Sequence, residues 1–212
     1  MSVVTIRGQL GSGAPEVGKH LAEKLHAGYV DREIIAGVAT RLNRQEREVI
    51  AKEMPPADVL GRIAEALEHS FVFGDAMAGA YLPMGQIPLD DARYLRALES
   101  VVRELARSRP LVIMGRGSQF ILKGDPGVFH VLVVAPIEVR LKRVMEDLRL
   151  EPEAAKLEIT RFDSSLREFS KRYFKAELED PVHYDLVINT ARFSFEAAAS
   201  VVVDALSLEQ NR

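Results

Sequence analysis

Short apolar runs alternate with longer amphipathic stretches along this chain, and the alternation predicts its fold. The apolar runs predict five strands, at 3–7, 28–31, 111–115, 128–135 and 185–189. Apolar residues at helical spacing predict helices at 14–26, 32–43, 44–53, 57–73, 90–108, 137–148, 152–162, 164–178 and 195–208. Strands that alternate with helices are typical of a doubly wound α/β domain. We therefore expect a five-stranded parallel sheet flanked by helices.

The first predicted strand leads into a glycine-rich segment that reads Gly8-Gln9-Leu10-Gly11-Ser12-Gly13-Ala14-Pro15. A glycine-rich turn between a strand and a helix presents backbone N–H groups that bind phosphate. The standard motif, G-x-x-x-x-G-K-[ST], adds a lysine for the phosphates and a hydroxyl for magnesium. Here Ala14 and Pro15 hold those two positions, so the segment predicts a nucleotide-binding loop without its main cation.

Residues 13–19 also fit this motif, with Lys19 in the lysine position. Pro15 has a fixed φ and no N–H group, and both properties suit the first turn of a helix. The helix therefore begins before Gly18, and Lys19 is predicted to be a solvated helix lysine rather than a phosphate ligand.

Polar residues follow several of the predicted strands, at the sheet edge where parallel α/β folds bind ligands. Asp31 and Arg32 follow the second strand, Arg116 follows the third, and Thr190 and Arg192 follow the last. Arg116 is the strongest single candidate, because flanking glycines allow a sharp turn and its guanidinium fork suits a phosphate or a pyrimidine edge.

The helix predicted at 137–148 carries Arg140 and Arg143 on one face. Phosphoryl transfer needs cations that neutralise the charge on the moving group, and a helix of arginines is one source of them. The following helices add further basic residues, namely Arg161, Arg167, Lys171 and Arg172. A solvated helix face is the alternative interpretation of this pattern.

The composition narrows the classes of function. The 212 residues carry a net charge of −3, which argues against a general nucleic-acid-binding protein. The chain has no cysteine, which excludes disulfides and thiolate metal sites, and its histidines lack metal-ligand spacing. No signal peptide or apolar run of ~18 residues is evident, so we expect a cytoplasmic protein without membrane partners.

With these motifs the chain resembles a nucleoside monophosphate kinase, and most closely the cytidylate kinase-like family. The resemblance extends over nearly the whole length and rests on the segments 11–13, 29–35, 112–117, 180–181 and 184–190. It implies a single domain of P-loop kinase fold with its core at 1–34, 109–136 and 180–212. It also implies a helical acceptor-binding insert at about 35–108 and an arginine lid at about 138–175.

The resemblance further implies ATP with magnesium as phosphoryl donor and CMP or dCMP as acceptor. The donor would lie against Gly8, Gly11, Ser12, Gly13, Ala14, Pro15, Thr190 and Arg192. The acceptor would lie near Asp31, Arg32 and Arg116. The transferred phosphoryl group would face Arg140, Arg143 and Arg167.

The chain departs from the pattern of cytidylate kinases at four positions, which are Ala14, Glu16, Gly117 and Leu166. The pattern has lysine, a hydroxyl residue, aspartate and arginine there. Two alternatives to a cytidylate kinase therefore stay open: a nucleotide sensor that has lost its chemistry, and a kinase that acts on another small acceptor. A homodimer also stays open.

Overall fold

A parallel five-stranded sheet forms the centre of the protein, which a computed structural model describes over residues 3–53, 90–108 and 110–210. The strands are β1 (Val3–Gly8), β2 (Gly28–Val30), β3 (Leu111–Met114), β4 (Val128–Val134) and β5 (Leu186–Asn189). Their order across the sheet is β2-β3-β1-β4-β5, and all pairings are parallel. The predicted sheet is confirmed.

Helices pack on both faces of the sheet. They are α1 (Ala14–Lys24), α2 (Arg32–Leu42), α3 (Glu46–Glu53), α4 (Asp91–Ser108), α5 (Ser118–Ile121), α6 (Ile137–Leu148), α7 (Pro152–Phe174) and α8 (Phe195–Gln210). A short 3-10 helix, Pro181–His183, precedes β5. The helix predicted at 57–73 lies outside the described residues. Among the helices that are described, none is both long and apolar enough to cross a membrane.

The prediction of two helices at 152–162 and 164–178 is wrong, because α7 is one helix of 23 residues. Asp163 lies in its middle, but this aspartate is buried and bound to Arg140, so it does not interrupt the helix. The helix ends where Lys175 takes a left-handed conformation with φ of 54°.

The central strand β1 is buried on both faces and separates two apolar cores. Val4 and Ile6 face the core formed with α1 and α8, whereas Val3 faces the core formed with α2 and α4. Because side chains alternate along a strand, Thr5 and Arg7 lie on the same face as Val3. This register sends a charged side chain from the carboxyl end of β1 into the protein interior.

Asp91 connects three helices that are distant in sequence. Its Oδ1 accepts hydrogen bonds from Lys52 of α3 at 2.6 Å and from Tyr173 of α7 at 3.1 Å. Its Oδ2 accepts from Nε of Arg172 at 2.8 Å. Partial burial raises the pKa of Asp91, but the hydrogen bonds from Lys52, Arg172 and Tyr173 outweigh it and lower the pKa to about 2.

We expect Asp91→Asn to lower the melting temperature by about 1–3 °C at neutral pH, since half-exposed ion pairs contribute roughly 0.5–1 kcal/mol. The carboxylate stabilises the folded state above the ordinary pKa of 3.8, and this contribution is lost as the pH falls through about 2. Melting curves of both proteins between pH 7 and pH 2 measure the difference.

The control is Asp204→Asn, which removes an exposed carboxylate from α8. This variant should melt with the wild type throughout the pH range. A difference between Asp91→Asn and the wild type that stays constant down to pH 2 would show that the ion pairs of Asp91 are not its source.

Candidate functional site

The glycine-rich segment forms a compact loop between β1 and α1. Gly11 and Gly13 have φ of 76° and 82°, values that glycine adopts without strain. Gly13 caps α1 and accepts a hydrogen bond from the N–H of Val17 at 2.9 Å. The N–H groups of Gly11 and Gly13 have no acceptor within the described part of the chain. The loop therefore presents free backbone donors, as the phosphate-loop prediction requires.

The structure confirms the position of this loop relative to α1. Pro15 lies in the first turn, whereas Gly18 and Lys19 lie inside the helix. Gly18 is buried, and a Cβ at this position would come within 2.9 Å of the Tyr29 ring. Lys19 is exposed to solvent. In the second match to the lysine motif, at 13–19, the glycine and lysine therefore lie within the helix and not in the loop before it.

The first turn of α1 carries no basic side chain. Ala14 is 1% exposed and lies under the start of the loop, where a Cβ on Gly8 would come within 2.5 Å of its own Cβ. Glu16 points into solvent. The loop thus lacks a cation in the position where the motif places a lysine.

Two arginines of α6 bind the carbonyl oxygens of the loop. Nε of Arg140 donates to the carbonyl of Leu10 at 2.8 Å. Nη1 of Arg143 donates to the carbonyls of Gly11 at 3.1 Å and Ser12 at 3.3 Å. Hydrogen bonds to a charged donor are stronger than neutral ones, so these contacts hold the loop against α6.

Asp163 of α7 completes this attachment, and the sequence analysis did not predict its role. Its Oδ2 accepts from Nη2 of Arg140 at 2.5 Å, and its Oδ1 accepts from the N–H of Leu10 at 3.2 Å. The two side chains of the pair are 5% and 9% exposed. A signal for this role is present in the sequence: Asp163 follows Ala155 and Ile159 at steps of four residues, so it lies on the buried face of the helix. A carboxylate on a buried face needs a partner.

The segment after β5 supports the loop from its other side. Thr190 is 1% exposed; its Oγ1 donates to the carbonyl of Ser12 at 2.6 Å and accepts from Nη1 of Arg143 at 2.9 Å. The ring of Phe195 lies 4.8 Å from the Arg143 guanidinium and fills the space next to Gly13. Arg192, by contrast, is exposed in the turn after the strand.

The structure brings Asp31 and Arg116 together at the ends of β2 and β3. Nη2 of Arg116 lies 3.4 Å from Oδ1 of Asp31, and both side chains are partly exposed. Gly115, Arg116 and Gly117 have left-handed φ of 65°, 58° and 69°. A non-glycine residue in this region is strained by about 1 kcal/mol, a feature that clusters at functional sites.

Other predicted residues lie around this edge of the sheet. Arg32 begins α2. Arg167 is half-buried on α7. The region predicted as an arginine lid consists of α6 and α7, which residues 149–151 connect. Val144 and Leu148 pack against Ala155 and Ile159 there.

Arg7 is a further cation close to the loop. Its side chain is 7% exposed, and its Nη2 has no hydrogen-bond partner among the described residues. Burial lowers the pKa of Arg7 to about 10; Arg116 acts in the same direction, and Tyr184, Asp163 and Asp31 act in the opposite one. The guanidinium therefore stays charged at neutral pH.

Cytidylate kinases are among the proteins that this chain resembles in sequence. A cytidylate kinase of Methanocella arvoryzae is 25% identical over 205 residues, which are 96% of each chain. A cytidylate kinase of Halobacterium salinarum is 27% identical over 121 residues, which are 57% of this chain and 63% of that relative. The second alignment thus spans less than two thirds of the relative.

Two solved structures share the fold. A crystal structure of an uncharacterized protein from Eubacterium ventriosum has a TM-score of 0.67 at 17% identity and covers 98% of this chain and 99% of its own. A gluconokinase from Sinorhizobium meliloti has a TM-score of 0.51 at 16% identity, with coverages of 99% and 94%. The fold is that of the P-loop kinases.

A family model described as the cytidylate kinase-like family matches residues 3–192. The match includes the glycine-rich loop, the turn at Arg116, both helices that carry the arginines and the segment that ends at Arg192. Because it covers nearly the whole chain, this protein belongs to the cytidylate kinase-like family.

Proposed function

We propose that this protein is a kinase that transfers the γ-phosphoryl group of ATP to CMP or dCMP. The observation that carries the proposal is the position of two features at one sheet edge. The phosphate loop follows β1 and the Arg116 turn follows β3, and the N–H of Gly115 donates to the carbonyl of Ile6 at 2.9 Å. Donor and acceptor would therefore meet above neighbouring strands.

The donor side fits a phosphate group. The free N–H groups of Gly11 and Gly13 are aligned with the N-terminus of α1, and Oγ of Ser12 is buried without a partner in the described chain. These donors would bind the ATP phosphates, with Thr190 and Arg192 near the base. Magnesium would arrive on the ATP phosphates and neutralise part of their charge.

The acceptor side is built around Arg116. Its planar guanidinium can bind a phosphate through two parallel hydrogen bonds, and Asp31 orients it from the end of β2. Arg32, at the start of α2, is the third residue proposed for the acceptor. The insert at about 35–108 is proposed to bind the acceptor.

The proposed reaction requires little covalent chemistry from the protein. An oxygen of the acceptor phosphate attacks the γ-phosphorus, and the bond between that phosphorus and the bridging oxygen breaks. ADP leaves with the electron pair of this bond, and the acceptor becomes a diphosphate. The protein contributes alignment of the two nucleotides and neutralisation of charge.

Arg140, Arg143 and Arg167 are proposed to face the transferred phosphoryl group. Arg140 is 4% exposed and bound to both Asp163 and Leu10, which favours a positioning role through the loop. Arg143 is half-buried and retains more access to solvent. Arg143 and Arg167 are therefore the two that are proposed to contact the phosphate.

A nucleotide sensor without catalytic activity is the second candidate function. The observation in its favour is that the guanidinium donors of Arg140 and Arg143 are bound to the protein itself. Ala14 and Glu16 add no positive charge to the loop. A sensor would bind nucleotide without turnover.

A different acceptor is the third candidate. At Gly117, where the pattern of cytidylate kinases has aspartate, a Cβ would come within 2.2 Å of the Phe174 ring. A side chain at this position would require the Phe174 ring to shift. A contact to the pyrimidine from this position is therefore absent, and the acceptor is chosen by other residues.

Calorimetric titration with magnesium-ATP and with CMP, followed by ADP release on the same sample, tests the proposed function. We expect both nucleotides to bind and ADP release to depend on CMP. Binding without ADP release would establish the sensor. Release with another phosphorylated or hydroxyl acceptor, but not with CMP or dCMP, would establish the third candidate. No binding of either nucleotide would overturn all three.

We expect Arg116→Ala to weaken CMP binding by about tenfold or more, since a hydrogen bond to a charged group contributes roughly 1.5–3 kcal/mol. The melting temperature should change by only a few degrees, because Arg116 is partly exposed. Calorimetry and melting curves measure the two effects.

The control is Arg107→Ala, which removes an exposed arginine from the end of α4. This arginine precedes β3 and so lies at the amino-terminal ends of the strands, away from the site. It should leave CMP binding unchanged. Loss of stability in Arg116→Ala with unchanged CMP affinity would make Arg116 a structural residue.

We expect Ala14→Lys to strengthen ATP binding, because it restores a cation at the first turn of α1. The gain should be about tenfold if the ammonium reaches the phosphates. Lys19→Ala, which removes an exposed lysine from the same helix, should leave ATP binding unchanged. Unchanged affinity in a folded Ala14→Lys protein would mean that the loop does not face the phosphates.

A further inference from the structure

Arg7 lies where a charged side chain is rarely found. It is the penultimate residue of the central strand β1 and pairs in register with Leu132 of β4. Its side chain points to the face of the sheet that α7 covers. Only 7% of its surface is exposed, and its Nη2 has no hydrogen-bond partner in the residues described. A buried charge without a hydrogen bond is strongly destabilising.

The carboxylates near Arg7 do not neutralise it. Each oxygen of Asp163 already accepts a hydrogen bond, from Arg140 and from the N–H of Leu10, and Asp31 is paired with Arg116. Across residues 3–53, 90–108 and 110–210, no carboxylate oxygen lies within 4.0 Å of the Arg7 guanidinium as an ion pair. The fold therefore holds beside the phosphate loop a buried positive charge that has no direct ion pair among the described residues.

Arg7 also lines a small cleft that begins at the loop. The other walls come from Gly8 and Gln9 of the loop, Leu132 of β4, and Leu166 of α7. The cleft is the size of about one water molecule, so it accommodates a single oxygen atom rather than a whole nucleotide. An oxygen placed there would lie next to Arg7, one of the residues that line the cleft.

The turn at Gly115 connects Arg7 with the acceptor side of the site. A Cβ on Gly115 would lie 3.3 Å from Nη1 of Arg7, so the guanidinium passes next to this glycine. Arg116 follows immediately. Two guanidinium groups that repel each other across one turn favour an anion that binds to both.

Two carboxylates oppose an anion in this cleft, Asp163 and Glu179. Asp163 is neutralised by Arg140 in a buried ion pair. Glu179 is exposed and accepts a hydrogen bond from Nε2 of Gln9 at 3.0 Å. Solvent screens the charge of Glu179, whereas the charge of Arg7 acts in a buried environment.

We propose that Arg7 binds a phosphoryl oxygen of the acceptor together with Arg116, and so supplies from β1 a positive charge that the loop lacks at Ala14. The inference rests on the proposed function for the identity of the acceptor. Its chemical content is narrower: a phosphate monoester or inorganic phosphate binds beside the Arg7 guanidinium, at the cleft that Arg7 lines.

The test uses Arg7→Met and Arg7→Lys in the full chain, titrated with inorganic phosphate, CMP and cytidine at constant ionic strength. We expect Arg7→Met to weaken phosphate and CMP by about tenfold or more and to leave cytidine unchanged. Arg7→Lys, which keeps the charge but not the planar fork, should lie between Arg7→Met and the wild type. Arg107→Met is the matched control and should bind all three probes as the wild type does.

Melting curves without ligand give a second readout. Removing a buried charge that has no direct ion pair should leave the melting temperature of Arg7→Met equal to or above that of the wild type. A large loss of stability in Arg7→Met, with phosphate affinity unchanged in Arg7→Lys, would make Arg7 structural and overturn the inference. Unchanged phosphate and CMP affinity in Arg7→Met, or no phosphate binding by the wild type, would also overturn it.

The same samples separate this inference from the proposed function. Normal ADP release by Arg7→Met would overturn the role of Arg7 and leave the kinase intact. Phosphate binding that depends on Arg7, without any ADP release by the wild type, would support the site and contradict the kinase. Stronger binding of CMP than of inorganic phosphate would identify the nucleotide as the source of the phosphate group.

Discussion

The two oxygens of Asp163 bind two separate parts of the molecule, and the geometry of the site follows from this. One oxygen holds Arg140 of α6, and the other holds the backbone N–H of Leu10 in the phosphate loop. Arg140 in turn binds the carbonyl of Leu10. Breaking a buried pair of this kind costs about 3–5 kcal/mol, because the remaining charge is left without a partner. The loop, α6 and α7 therefore form one connected unit.

Arg143 extends this unit to the end of the sheet. It binds the carbonyls of Gly11 and Ser12 as well as Thr190, and it lies over the ring of Phe195. With the loop carbonyls bound to arginines, the N–H groups of Gly11 and Gly13 are left for a ligand. The loop is thus shaped in advance by its surroundings, which reduces the entropy lost when a phosphate binds.

Positive charge in this protein lies beside the loop rather than in it. The loop itself carries Ala14 and Glu16, while the nearest arginines come from β1, from the turn after β3 and from α6. Arg140 is paired with Asp163, and Arg143 donates to uncharged oxygens of the loop and of Thr190. Arg7, by contrast, is buried beside a cleft, and its Nη2 has no hydrogen-bond partner among the described residues. The departures from the family pattern at Ala14 and Glu16 agree with this distribution, because neither residue is positively charged. The departure at Gly117 has a steric reason instead: the Phe174 ring occupies the space that a side chain would need.

The sequence alone determined the parallel sheet, the position of the glycine-rich loop and the placement of Asp31 and Arg116 after strands of that sheet, because these follow from hydrophobic periodicity and from the residues next to each strand. The pairing of Asp31 with Arg116 needed the strand order, in which β2 lies next to β3. Only the tertiary structure decided which way each charged side chain points. The attachment of Arg140 to Asp163, 23 residues apart, and the burial of Arg7 depend on contacts between elements distant in sequence. A spacing pattern cannot distinguish an arginine that binds a ligand from one that binds the protein, because both lie at the same periodicity.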